Sequence, residues 1–102
     1  MVKVRLSEEI LGYIKTTAEE IFGSNTEVYI FGSRTDINKR GGDIDIMIKT
    51  DLDFDRWLEK KIKFLMKLWD KLGEQKIDVV YYNPKYKTEP IHKVAMEEGV
   101  KL

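Results

Sequence analysis

The run Asp43-Ile44-Asp45-Ile46-Met47-Ile48-Lys49 alternates without a break. Successive side chains of an extended backbone point to opposite sides, so Ile44, Ile46 and Ile48 share one side, and Asp43, Asp45 and Met47 the other. The alternation predicts a strand over 43–49 with an apolar back and an acidic front. An apolar back has to be covered, and the rest of the chain supplies the means.

Two more strands are expected. Residues 27–31 (Glu-Val-Tyr-Ile-Phe) are β-branched and aromatic and run straight into Gly32-Ser33, which predicts a strand ending in a tight turn. Over 76–82, Asp78, Val80 and Tyr82 share one face, while Ile77, Val79 and Tyr81 share the other. Between Arg34 and Gly42 lie polar and turn-forming residues, which read as a loop.

Three helices accompany them. Ser7 followed by Glu8 and Glu9 reads as a capped start, and Ile10, Leu11, Ile14, Ala18, Ile21 and Phe22 recur at helical spacing until Gly23, giving a helix over 7–22. The strongest periodicity covers 54–72. There Leu58, Ile62, Leu65, Trp69 and Leu72 form a stripe that Trp57, Phe64 and Leu68 widen. Thr88-Glu89-Pro90 opens a last short helix that ends before Gly99. The order αβ(loop)βαβα predicts an α+β fold in which helices pack on one small mixed sheet.

Length and composition narrow the function classes. The 102 residues suit one compact domain spanning 1–102. No apolar run approaches the ~20 residues that a membrane span needs, and Met1 to Leu6 does not resemble a signal peptide, so a soluble, cytoplasmic protein without a membrane partner is expected. Lys+Arg and Asp+Glu balance at 18 each, which removes the electrostatic footprint of a protein that binds long nucleic acids through their backbone. Cysteine is absent, so any metal must be held by oxygen or by the single histidine, His92.

The chemistry gathers on the acids. Carboxylates at i and i+2 of a strand point the same way, roughly 7 Å apart by strand rise. Like charges so close oppose each other's ionisation unless a cation intervenes. Asp78 adds a third acid at a corresponding place on another hydrophobic strand, and strand interiors are depleted in Asp. A hard ion such as Mg²⁺, which combines a few carboxylate oxygens with water and phosphate, accounts for all three. Protonated or hydrogen-bonded structural acids are the alternative. The Gly32-Ser33 turn suits an anion, through free N–H groups, the Ser33 hydroxyl and the missing Cβ at Gly32. Arg34 follows directly and can neutralise phosphate charge, against the alternative of a solvent-exposed loop arginine. Lys39 and Arg40 lie in the same loop.

Gly32-Ser33, nine intervening residues, Asp43-Ile44-Asp45 on an alternating strand and a later strand Asp78 together resemble the nucleotidyltransferase superfamily that includes DNA polymerase beta. In its small size the chain is similar to the minimal nucleotidyltransferase family, which includes the MntA-type antitoxins of HEPN/MNT modules. The resemblance spans residues 26–82 and adds Glu98-Gly99-Val100. It implies the polymerase beta-like nucleotidyltransferase fold. It implies that Gly32 and Ser33 hold a triphosphate, that Asp43 and Asp45 bind two Mg²⁺ ions, and that Asp78 completes the metal site and activates an acceptor hydroxyl. By the same resemblance the substrate is ATP and the acceptor a tyrosine of a helical HEPN-type toxin, which makes the chain an antitoxin. Two other readings stay open: a non-catalytic nucleotide- or partner-binding module of the same fold, and a small-molecule nucleotidyltransferase whose acceptor pocket forms in a homodimer.

Other features carry less. His92 has no partner in the sequence and receives no role. Lys60, Lys61, Lys63, Lys67 and Lys71 read as the solvated side of the long helix, with contact to an acidic partner or RNA as the alternative. The width of that helix's apolar face, with two tryptophans, suits either cover for the small sheet or contact with a partner helix.

Overall fold

The computed structural model describes residues 8–31, 44–73 and 76–102. In chain order the elements are α1 (Glu8–Phe22), β1 (Glu27–Phe31), β2 (Ile44–Lys49), α2 (Phe54–Leu72), β3 (Ile77–Tyr82), α3 (Pro90–Glu98) and β4 (Val100–Lys101). Ser7 as a helix cap, the turn at Gly32-Ser33, the loop over 34–42 and Asp43 as the first residue of a strand fall outside the described residues.

The four strands form one mixed sheet in the order β3-β2-β1-β4. β1 runs antiparallel to both β2 and β4, whereas β2 and β3 are parallel and joined through α2. β1 is apolar because it lies inside the sheet, between β2 and β4. Val28 and Ile30 enter the main core on the back, while Tyr29 and Phe31 enter a smaller cluster on the front.

The back of the sheet follows the alternation. Ile44, Ile46 and Ile48 are fully buried there, with Ile77 and Val79 of β3 beside them. Two helices cover this face. α1 contributes Ile14, Ala18 and Phe22, and α2 contributes Trp57, Phe64 and Leu68, with Phe22 and Phe64 meeting edge to face at 5.3 Å between ring centroids. Gly23 and Gly73 end the two helices at φ of +112° and +83°, where a Cβ would strain the backbone. α3 lies on the front, where Ala95 joins Tyr29, Phe31, Met47 and Tyr82. The molecule therefore has three layers: two helices, a sheet, and one short helix.

Two findings differ from the sequence reading. α2 has the expected bounds, but the residues placed at the edge of its apolar face, Trp57, Phe64 and Leu68, are the buried ones. Leu58, Ile62 and Trp69, expected on the central stripe, are exposed. The reason is geometric, since α1 already occupies the space beside α2 and the helix can turn only part of a wide apolar arc to the sheet. The second finding is β4, whose two residues carry no periodicity. Val100 pairs with Ile30 and Lys101 with Tyr29, and the Leu102 N–H donates to the Val28 carbonyl at 2.8 Å. Gly99 makes this pairing possible. A Cβ there would collide with the Ala95 carbonyl, lie 2.7 Å from the Ile30 carbonyl oxygen and touch Cβ of Phe31, none of which can swing aside. Among the described residues no helix is long and apolar enough to cross a membrane.

Candidate functional site

The front of the sheet can be followed in rows, because residues paired in register show their side chains on the same face of adjacent strands about 4.8 Å apart. One end row consists of Phe31 on β1, Asp45 on β2 and Asp78 on β3. The next row holds Tyr29, Met47 and Val80, and the third Glu27, Lys49 and Tyr82. α3 covers the inner part of this face, where Met47 is fully buried, and leaves the end row more open. Asp45 is half-buried and Asp78 exposed.

Of the residues that sequence reasoning assigned to the site, Asp45 and Asp78 are brought together, as register partners on parallel strands. Gly32, Ser33, Arg34 and Asp43 lie outside the described residues, as do Lys39 and Arg40. Their neighbours in the chain are nevertheless placed. Gly32-Ser33 follows Phe31, the residue in register with Asp45. Asp43 precedes Ile44, whose N–H donates to the Lys76 carbonyl at 3.0 Å and so ties the start of β2 to the start of β3.

Two carboxylates in register offer oxygen donors and no soft ligand, a set suited to a hard divalent ion that completes its shell with water or phosphate oxygens. Among the described residues no group of three or more potential ligands is gathered. His92 is not available to a metal. It is buried against Tyr82 with ring centroids 4.4 Å apart, its Nδ1 accepts the Glu89 N–H at 2.9 Å, and its Nε2 lies 3.0 Å from the Tyr81 carbonyl oxygen. A ring that accepts at Nδ1 and donates at Nε2 is the neutral Nε2–H tautomer, assigned here from its partners. The Tyr82 hydroxyl pairs with that of Thr88 at 2.9 Å, so α3 is fastened to β3 by a small polar network. The sequence contained one signal for it, the three-residue spacing from Glu89 to His92 at a helix start.

The far end of β1 is electrostatically distinct. Tyr29 donates to Glu27 Oε1 at 2.9 Å, and burial together with this hydrogen bond pushes the phenol up to about 12. The same hydrogen bond, with Lys49 and Lys101 at 3.9 and 3.6 Å, holds the Glu27 carboxyl below its ordinary value against the effect of burial. This cluster leaves the carboxylate end of the sheet as a separate site.

A comparison with known families bears on both fold and chemistry. Residues 11–102 match the family model of the nucleotidyltransferase domain. No curated protein matches the chain. Nucleotidyltransferases of this family transfer a nucleoside monophosphate and typically use a divalent metal and a nucleoside triphosphate. The three helices and the four-stranded mixed sheet are consistent with the nucleotidyltransferase fold. With all but its first ten residues matched, the chain belongs to the nucleotidyltransferase domain family, within the superfamily that includes DNA polymerase beta.

Proposed function

We propose that this chain moves a nucleoside monophosphate, AMP from ATP, to a hydroxyl on a partner protein. The observation that carries the reading is the register of Asp45 with both Asp78 and Phe31, the residue from which Gly32-Ser33 continues. Gly32 and Ser33 hold the triphosphate through backbone N–H groups and the Ser33 hydroxyl, and Arg34 offsets its charge. Asp43, Asp45 and Asp78 hold Mg²⁺, with two ions as the expected number. Bound Mg²⁺ supplies Lewis-acid stabilisation of the charge on the phosphate oxygens.

In the reaction the acceptor oxygen forms a bond to the α-phosphorus, the bond from that phosphorus to the bridging oxygen of the β-phosphate breaks, and pyrophosphate leaves. Asp78 takes the hydroxyl proton. The acceptor is a tyrosine of a helical HEPN-type protein and the chain is its antitoxin, acting in the cytoplasm.

The test is transfer of label from α-³²P-ATP with Mg²⁺ to a HEPN-type protein encoded beside this chain, comparing the wild type with Asp45→Asn. Label on the partner with the wild type alone is expected. Equal labelling by Asp45→Asn would reject the mechanism. Binding of Mg-ATP without transfer would favour a non-catalytic module of the same fold.

A further inference from the structure

We infer that the outward side of α2 is a docking surface for an amphipathic helix of a partner protein, one whose apolar stripe is bordered by Lys or Arg. Phe54, Leu58, Ile62, Met66 and Trp69 are 49%, 39%, 61%, 62% and 42% exposed. Their spacing puts Leu58, Ile62, Met66 and Trp69 on one side of the 19-residue helix, turned away from Trp57, Phe64 and Leu68 in the core, with Phe54 at the edge of the stripe, its ring stacked on Trp57 at 5.9 Å between centroids. The stripe is roughly 22 Å long at 1.5 Å per residue. With apolar side chains of about 200 Å² apiece, five that are about half exposed leave on the order of 500 Å² of apolar surface. That lies at the upper end for a monomer and below the roughly 800 Å² that each partner contributes to a standard interface, a footprint suited to one helix.

Charge selects the occupant. At 100° per residue, Asp55, Glu59 and Asp70, all exposed, fall along the border of the stripe next to Ile62 and Met66. The opposite border carries Lys61, which is turned inward with its Nζ 5.3 Å over the Trp57 ring. Arg56, Lys63 and Lys67 lie further round on the solvated side. A second copy packed antiparallel about a two-fold axis near Ile62 would set Asp55 of each helix against Asp70 of the other, which opposes association. A helix with a basic border meets the same acids with opposite charge.

This surface lies on the back of the sheet, whereas Asp45 and Asp78 lie on the front, so the inference goes beyond the transfer reading and holds or fails without it. A partner seated on α2 is anchored away from the carboxylates, and any segment of it that reaches them must pass round the sheet.

The probes are two fluorescein-labelled synthetic helical peptides with the same leucine stripe, one bordered by lysine and one by glutamate, titrated with the full chain at low salt without nucleotide. The lysine-bordered peptide should bind about tenfold more tightly or better, a difference of about 1.4 kcal/mol. Ile62→Asp, at an exposed position, should weaken that binding about tenfold while leaving the melting temperature in place. The triple variant Asp55→Lys, Glu59→Lys, Asp70→Lys should reverse the preference between peptides. Equal binding of the two peptides, or binding of neither, would overturn the inference. So would a concentration-dependent dimer in sedimentation that Ile62→Asp dissolves, because the occupant would then be a second copy.

Discussion

Asp78 stands exposed between Ile77 and Val79, in register with another carboxylate. Strands disfavour Asp, and like charges paired across a sheet oppose each other. Asp78→Asn keeps the shape and removes one charge. If Asp78 takes the acceptor proton, the variant should lose about 10² to 10⁴ in transfer rate, the usual contribution of a general base. Its metal-free melting temperature should hold or rise, and a drop of several degrees with transfer intact would make Asp78 a structural residue. Tyr29, at the other end of the same face, makes a prediction of the opposite kind. Its folded value of about 12 stands above the ordinary value of 10.0. An acid whose folded value is raised stays neutral in the native state while the unfolded chain has already ionised. Its contribution is complete below about pH 10 and is lost between about 10 and 12, at up to ~1.4 kcal/mol per pH unit. Glu27 acts in the other direction, since its depressed folded value adds stability that disappears as pH falls through it. Urea midpoints should therefore be level near neutrality and fall above about pH 10, and Tyr29→Phe should remove much of the alkaline decline.

α3 is nine residues long, too short to persist without its contacts. Ala95 and Met96 give it an apolar seat, and His92 satisfies the Glu89 N–H and the Tyr81 carbonyl with one neutral ring. His92→Phe retains the stacking partner for Tyr82 and leaves both backbone groups without their partner. It should lower stability by about 1–3 kcal/mol in urea unfolding and speed amide exchange selectively in α3. Unchanged exchange in α3 would show that its apolar seat suffices. His92 also marks where the sequence stopped being legible. A single histidine offers no pattern, and its partners lie three and eleven residues away on different elements. Elements whose own residues carry a period were readable: β2 from its isoleucines, β3 from Asp78, Val80 and Tyr82, and α2 with both ends in place. β4 was not, because two residues cannot show alternation and its place depends on Gly99 letting the chain close on Ile30. For α2 the period fixed the helix but not its rotation about its own axis. Apolar residues cover so wide an arc that only packing against α1 and the sheet decides that Phe64 goes in and Ile62 stays out. Asp45 and Asp78 were legible as strand residues, and the sheet added what no sequence pattern holds, namely that they are register partners.

The whole molecule divides its work between two faces. The back buries Ile44, Ile46, Ile48, Phe64 and Leu68 and provides most of the apolar core, whereas the front gathers polar and charged groups over a smaller cluster. A native state that holds an ion and a nucleotide on its front gains their binding energy as stability, because the unfolded chain cannot assemble the site. At a ligand concentration of 100 times Kd the gain is about 2.7 kcal/mol. For a chain of about this length one kcal/mol moves the melting temperature by roughly 4 °C or more, so Mg²⁺ with ATP should raise it by about 10 °C. Mg²⁺ alone should do less, since without the triphosphate each ion loses its phosphate oxygens and is held by the carboxylates and water alone, and EDTA should abolish the rise. Asp45→Asn and Asp78→Asn should each lose most of it. Phe64→Ala, which opens the back core at a cost of about 3–5 kcal/mol, should melt earlier and still show the full increment, because it leaves the front row in place. If Phe64→Ala lost the increment as completely as Asp78→Asn, the two faces would be coupled, and binding at the front would depend on packing at the back.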